Sequence, residues 1–242
     1  VTLDYSNAFN TPTRDSMLAA CKKVPKLLGV FSVGYKQHAD LYVVGGTSAE
    51  VIPSQRGARQ GTVDGSAIFA LVIQDALNEA NKIEGVRVLA YLDDITICAH
   101  DYAAAEKAVL AIINATAKLG MSLKGSKCER LAVNPSCANS VLKNDAMVAS
   151  FNDVETVKLL GASISTTDER EAEHLFKREG EKTAKLFERL KHGAGPQFFH
   201  VLRQCIIPML SHLVRVHSAE VTKKVTQLFD RRVIDLMGYW AA

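Results

Sequence analysis

The chain reads as an α+β protein in which an antiparallel sheet carries helices on one face and is followed by a wholly helical segment. Three observations predict this. Strand-like and helix-like stretches alternate up to about residue 165 in the order β-α-(hairpin)-α-β-β-α-β, with no repeat period. Beyond Thr167 the apolar residues recur only at helical spacing. Finally, 242 residues that are 48% hydrophobic can bury a core of this size. The division falls between a sheet-bearing part, 1–165, and a helical part, 166–242.

Each element has a local cause. A strand over Val1 to Tyr5 turns at Asn10-Thr11-Pro12, where Thr11 caps and Pro12 opens a helix running to about Leu28, with Met17, Leu18 and Cys21 inward. Residues Ala39 to Gly46 and Val51 to Ser54 read as a hairpin around Gly45-Gly46-Thr47-Ser48. The glycine-punctuated loop Arg56-Gly57-Ala58-Arg59-Gln60-Gly61 leads into a helix over Ser66 to Ile83, with Ile68, Leu71, Val72, Asp75 and Ala76 on one face. Val86 to Tyr91 and Ile95 to His100 form a hairpin with Asp93-Asp94 at its tip. A helix follows from an Asp101 cap to a Gly120 stop, its core face being Ala105, Val109, Ile112, Ile113 and Thr116. Strands around Ser126 to Ala132 and Val157 to Ala162 close the region.

Composition sets mild bounds. A net charge of +3 does not by itself establish a polyanion partner. Cys21, Cys98, Cys128, Cys137 and Cys205 show no CxxC pair and no zinc spacing, which predicts free thiols in a reducing compartment. No apolar run reaches the ~18 residues of a membrane span, and no signal-peptide pattern opens the chain. A soluble, intracellular protein is expected. The chain opens without Met, directly on a strand with a motif in it, so an N-terminal portion is expected to be absent.

Two acidic stretches carry the chemistry: Leu3-Asp4-Tyr5-Ser6-Asn7-Ala8-Phe9 and Tyr91-Leu92-Asp93-Asp94. Carboxylates among β-formers are costly to bury unless a cation compensates them. Adjacent central strands would set Asp4 and Asp93 side by side, where they repel unless a divalent ion sits between them. Oxygen-only ligands suit Mg²⁺ or Mn²⁺ rather than zinc. Two such ions ~3.5–4 Å apart activate an attacking hydroxyl and stabilise a leaving phosphate oxygen. An Asp-Asp pair is also ordinary hairpin-tip chemistry; the combination of motifs argues against that alternative.

That combination resembles the reverse transcriptases, of the type found in non-LTR retrotransposons and group II introns. Asp4, Ala8 and Phe9 are similar to the family's first catalytic motif, and Tyr91-Leu92-Asp93-Asp94 to its aromatic-x-Asp-Asp signature. Gly57-Ala58-Arg59-Gln60-Gly61 resembles the Arg-Gln-Gly loop before a long helix. Leu123-Lys124-Gly125-Ser126-Lys127-Cys128-Glu129 resembles the Lys-bearing loop after the signature, and Leu159-Leu160-Gly161 the Leu-Gly hairpin that grips the primer end.

The resemblance implies a right-hand polymerase palm over 1–165 and a helical thumb over 166–242, with the fingers absent. It implies two Mg²⁺ ions (Mn²⁺ as a substitute), an RNA template, a DNA primer and dNTP as partners, and a nuclear location if the element is eukaryotic. Asp4, Asp93 and Asp94 become catalytic metal ligands, with the Tyr5 carbonyl as an additional oxygen ligand. Ala8, Phe9, Gln60 and Gly61 become nucleotide contacts, Phe9 excluding a 2′-hydroxyl. Lys127 steadies or protonates the departing pyrophosphate. Arg59, Tyr91, Leu92, Leu160 and Gly161 become primer or template contacts. Phe9 and Lys127 also have plain readings, as a core ring and a solvated lysine.

In the helical part, Leu175, Phe176, Thr183, Leu186, Phe187 and Leu190 mark one face, while Lys177, Arg178, Lys182, Lys185 and Arg189 fall largely elsewhere and suit a phosphate backbone. Glu171, Glu173, Glu179, Glu181 and Glu188 dilute that charge. Phe198 to Val214 is expected to be buried all round, and Val221 to Met237 to complete a bundle. The chain departs from the family pattern at Thr62-Val63-Asp64, where Asp-Pro is usual. An RNA-dependent RNA polymerase palm, or a domesticated domain that only binds RNA or protein, are the alternative functions.

Overall fold

In the computed structural model of the chain, residues 1–45, 48–134, 145–191 and 200–241 are described. Two compact units form, one of Val1–Arg130 with Pro135–Asp153, the other of Leu131–Asn134 with Val154–Ala242. Gly46, Thr47, Cys137, Phe198 and Phe199 lie outside the described residues.

The first unit is built on a mixed sheet of order β4-β5-β1-β6-β7, with β1 Thr2–Leu3, β4 Val86–Tyr91, β5 Asp94–Ala99, β6 Glu129–Arg130 and β7 Asn152–Asp153. β1 lies antiparallel between β5 and β6, with Leu3 opposite Ile95 and Thr2 opposite Thr96. Side chains alternate across a strand, so Leu3, Val88, Ile95 and Ile97 share the face that enters the core, while Leu89 and Cys98 look out on the other. Helices α3 (Val63–Asn81) and α4 (Tyr102–Ala117) pack together and against β4 and β5. Asp101 caps α4 by accepting the Ala104 amide, and Gly120 takes a φ of 85° just beyond its end.

Four sequence expectations are corrected. The helix expected from Pro12 to Leu28 is two helices, α1 Arg14–Lys22 and α2 Lys26–Gly34, separated before Pro25. Proline lacks the N–H that a continuing helix needs. The cap is Thr13, whose hydroxyl accepts the Ser16 amide; the Thr11 hydroxyl donates to the Ala8 carbonyl instead. Asp75 is exposed on α3 and paired with Lys23, because the buried stripe runs through Ile68, Phe69, Val72, Ile73 and Ala76. The strand expected over Ser126 to Ala132 shrinks to β6, since Gly125–Lys127 winds as a 3₁₀ turn, and the β6–β7 pair is parallel. The hairpin β2 (Ala39–Gly45) and β3 (Ser48–Ser54) forms a separate two-stranded sheet.

The second unit opens with a hairpin, β8 Thr156–Leu159 and β9 Ala162–Ser165, that stands outside the main sheet where the sequence suggested a closing strand. It is followed by α5 Asp168–Lys191, α6 Ile207–Val216 and α7 Ala219–Ala241. Leu175, Leu213, Val221 and Val225 form one apolar cluster; Phe187, Leu202, Ile206, Phe229 and Leu236 form another. Contrary to expectation, Ile207 and Val214 face solvent, so only one side of this stretch is buried. Leu202–Ile206 forms a π turn closed by the Ile207 amide on the Leu202 carbonyl, just ahead of Pro208, which has no amide to donate.

Candidate active site

The sheet register sets the acidic edge. Leu3 opposes Ile95 in the last pair of the β1–β5 ladder, so Asp4 follows β1 and Asp94 opens β5 at the same end of the sheet. Asp4 is half-buried there and Asp94 exposed. The hairpin that delivers Asp94 closes through a two-residue turn, Leu92-Asp93, between the paired Tyr91 and Asp94. Leu92 takes a φ of 57°, a left-handed conformation that costs a leucine roughly 1–2 kcal/mol. Tyr91 and Asp93 are exposed beside it.

Neither the Asp4 nor the Asp93 carboxylate accepts a hydrogen bond or forms an ion pair among the described residues. Carboxylate oxygens are the kind of donor that a hard cation takes. No group of three or more His, Cys, Asp or Glu is gathered closely enough to hold an ion among the described residues. Around the Tyr5–Leu123 bridge, the Ser6 amide donates to the Ser122 carbonyl and the Lys124 amide to the Asp4 carbonyl, leaving the Tyr5 carbonyl out of the exchange. The Tyr5 side chain points into the core, its hydroxyl 3.1 Å from Thr116 Oγ1, and burial pushes its pKa up to about 12.

Three segments converge on this edge through the backbone. The Asp4 amide donates to Cys128 Sγ at 3.4 Å, and the Lys124 amide donates to the Asp4 carbonyl at 2.9 Å, fixing the turn that carries the exposed Lys127. Burial raises the Cys128 thiol pKa, keeping it a neutral partner. On the other side, the Ala58 amide donates to the Phe9 carbonyl and the Gly57 amide to the Pro12 carbonyl. Gly57, at φ 77°, lies so close that a Cβ would sit 2.3 Å from Asn10 Cα. Phe9 is 7% exposed and stacks on Phe69 at 4.3 Å between centroids; Ala8 is buried beside it.

Beyond Ala58 the loop rises to the surface. Arg59, Gln60 and Gly61 are exposed, and Thr62 caps α3 by accepting the Gly65 amide. Arg59 is tethered by its amide to the hydroxyl of Tyr35 at 3.2 Å. Tyr35 is a site-supporting residue that sequence reasoning missed; Thr116, read as part of the α4 core face, and Cys128, read within the Lys-bearing loop, gain partners in Tyr5 and Asp4 that the sequence did not mark. Each acts through a long-range bond, and none sits in a local pattern that would have marked it for this purpose. Leu160 and Gly161 belong to the second unit, at the two-residue turn of β8–β9, with φ of 47° and 91°.

A mixed α+β unit built on a five-stranded sheet with helices packed on it is compatible with a polymerase palm. Residues 1–164 match the family described as Reverse transcriptase (RNA-dependent DNA polymerase), and the chain belongs to that family. A comparison with curated proteins finds no match. Among the described residues no helix is long and apolar enough to cross a membrane.

Proposed function

We propose that this chain carries out RNA-templated DNA synthesis by attack of a primer 3′-hydroxyl on the α-phosphate of a dNTP, with pyrophosphate leaving. The observation that supports the reading is the Leu3–Ile95 register, which sets the strand leading into Asp4 next to the strand that opens at Asp94. Asp4, Asp93 and Asp94, with the Tyr5 carbonyl, would hold two Mg²⁺ ions. Such ions, when bound, lower the pKa of the attacking hydroxyl and neutralise charge on the leaving oxygen. Phe9, held rigid against Phe69, closes the sugar end of the site, which steric exclusion of a 2′-hydroxyl requires. Gln60 and Gly61 meet the template base and incoming nucleotide, and Lys127 steadies the pyrophosphate. Tyr91 and Leu92 shape the floor under the primer terminus, while Arg59 lies along the template; Leu160 and Gly161, in the second unit, take a primer role from their motif alone. The element type, a non-LTR retrotransposon or group II intron, rests on the motif order.

The test is Mg²⁺-dependent dNTP incorporation by the chain on an RNA template with a DNA primer. Asp93→Asn should abolish incorporation while RNA binding is retained; undiminished incorporation would sink the two-metal assignment. Phe9→Val should admit ribonucleotides. An RNA polymerase would accept them already in the wild type.

A further inference from the structure

We propose that Tyr35, which lies outside every motif above, is the positioning residue of the Arg59–Gly61 loop and so sets nucleotide affinity at the site. The proposal rests on the reading of that loop given under Proposed function.

Tyr35 ends α2, its amide bonded to the Phe31 carbonyl, and is 2% exposed. Its hydroxyl makes two bonds of opposite sense. It accepts the Arg59 amide at 3.2 Å and donates to Asp64 Oδ2 at 3.2 Å. One phenol therefore joins the start of the exposed loop to the first turn of α3. The ring is fixed on several sides: Phe31 stacks at 5.8 Å, the Arg14 guanidinium lies 4.7 Å from its centroid and that of Arg59 5.5 Å. Among the described residues Arg14 Nε and Nη1 are buried without a hydrogen-bond partner while Nη2 reaches Ser54, so the ring face and that bond together offset enclosing the cation.

The rest of the loop is built around the same anchor. The Arg59 carbonyl accepts the Thr62 hydroxyl, and that hydroxyl accepts the Gly65 amide. A Cβ at Gly65 would come within 1.9 Å of the Arg59 carbonyl oxygen. Arg59 is thus held at its amide by Tyr35 and at its carbonyl by the cap of α3, while Gln60 and Gly61 project beyond it. A Cβ on Gly61 would meet nothing within 4 Å, so the tip of the loop is open on that side. Catalytic geometry tolerates misplacement of only about an ångström, and a loop held at one residue transmits any looseness there to the tip.

Tyr35→Phe keeps the ring, its stacking and both cation contacts and removes only the hydroxyl. The chain is examined as wild type, Tyr35→Phe, Asp64→Ala and Asp64→Asn, by amide hydrogen exchange and by dNTP affinity in the presence of Mg²⁺ and an RNA–DNA template–primer. Tyr35→Phe should raise exchange at Arg59 by roughly tenfold or more and weaken dNTP affinity by a similar factor, with primer–template affinity unchanged. Asp64→Asn, which still offers an acceptor oxygen, should keep the loop protected; Asp64→Ala should not. Unchanged exchange at Arg59 in Tyr35→Phe would overturn the anchor. Raised exchange with unchanged dNTP affinity would overturn its role at the site. A wild type that binds no dNTP would overturn the polymerase reading and the nucleotide half of this proposal, while exchange at Arg59 still decides whether Tyr35 holds the loop.

Discussion

The Ala58 amide donates to the Phe9 carbonyl at 2.7 Å, joining the glycine loop to the segment that begins with Asp4. Two motifs far apart in sequence are thereby one structural piece. The contact is possible because Gly57 has no side chain to hold the backbones apart.

Gly57→Ala should therefore be costly. Its left-handed φ contributes about 1–2 kcal/mol, and the added methyl must displace Asn10, for a total of roughly 3 kcal/mol or more. Gly61→Ala has a similar φ of 82° but open space, and should cost only the first part. Urea unfolding midpoints of the two variants separate steric clash from backbone strain.

Leu160 is the counterpart of Leu92 in the second unit, a half-exposed leucine at positive φ in a two-residue turn. Leu160→Gly should stabilise that unit by about 0.5 kcal/mol, relief of strain outweighing the entropy of the added glycine. Leu160→Val, with a branch at Cβ, should destabilise it by about 1 kcal/mol. Thermal melts of both variants check the signs.

Tyr5 predicts an alkaline limit to stability. Its folded pKa of about 12 lies above the ordinary 10, so the unfolded chain releases this proton first. The contribution is fully present below pH 10, is lost as pH rises from 10 towards 12, and totals about 2–3 kcal/mol. Tyr5→Phe should lose about 1 kcal/mol at neutral pH with its bond to Thr116, and should show a shallower decline across that window. Denaturant titrations at several pH values measure the difference.

Arg178 and Glu179 form a pair in which the glutamate side chain is only 6% exposed. Arg178 also donates to the Gly161 carbonyl at 2.8 Å and to Ser163 Oγ. Arg178→Gln should destabilise the second unit by about 2–3 kcal/mol, because a largely buried carboxylate is left, among the described residues, with Lys182 at 3.6 Å. Adding Glu179→Gln should recover part of that loss in a double-mutant cycle.

How much was legible follows the range of the forces. Helix α4 was readable from end to end because Asp101, the apolar stripe and Gly120 are all local signals. The acidic hairpin was readable because its strands alternate and its turn is two residues long. The α1–α2 break was missed because Pro25 ends one helix and precedes another, and both Thr11 and Thr13 offered a hydroxyl for the cap. Two-residue strands such as β6 and β7 have no periodicity to detect. Glu179 looked like one more surface acid because its partner Arg178 is adjacent in sequence, and only the fold encloses them. At the site, the carboxylates announced themselves by residue type. Tyr35 did not, since its importance lies in a hydroxyl that meets residues 24 and 29 positions away.

The β8–β9 hairpin has a consequence for the chain's behaviour in a crowded solution. The Ser163 amide donates to His217 Nε2 at 3.3 Å and the Ser165 amide to Glu171 Oε2 at 3.4 Å, while His217 Nδ1 donates to Glu171 at 2.6 Å. The outward amides of β9 are thus already spent on side chains of their own unit. A strand from another molecule would have to displace a buried imidazole and its carboxylate before it could pair there, so the β9 edge of this short sheet is closed to recruitment and to the edge-to-edge growth from which aggregates begin.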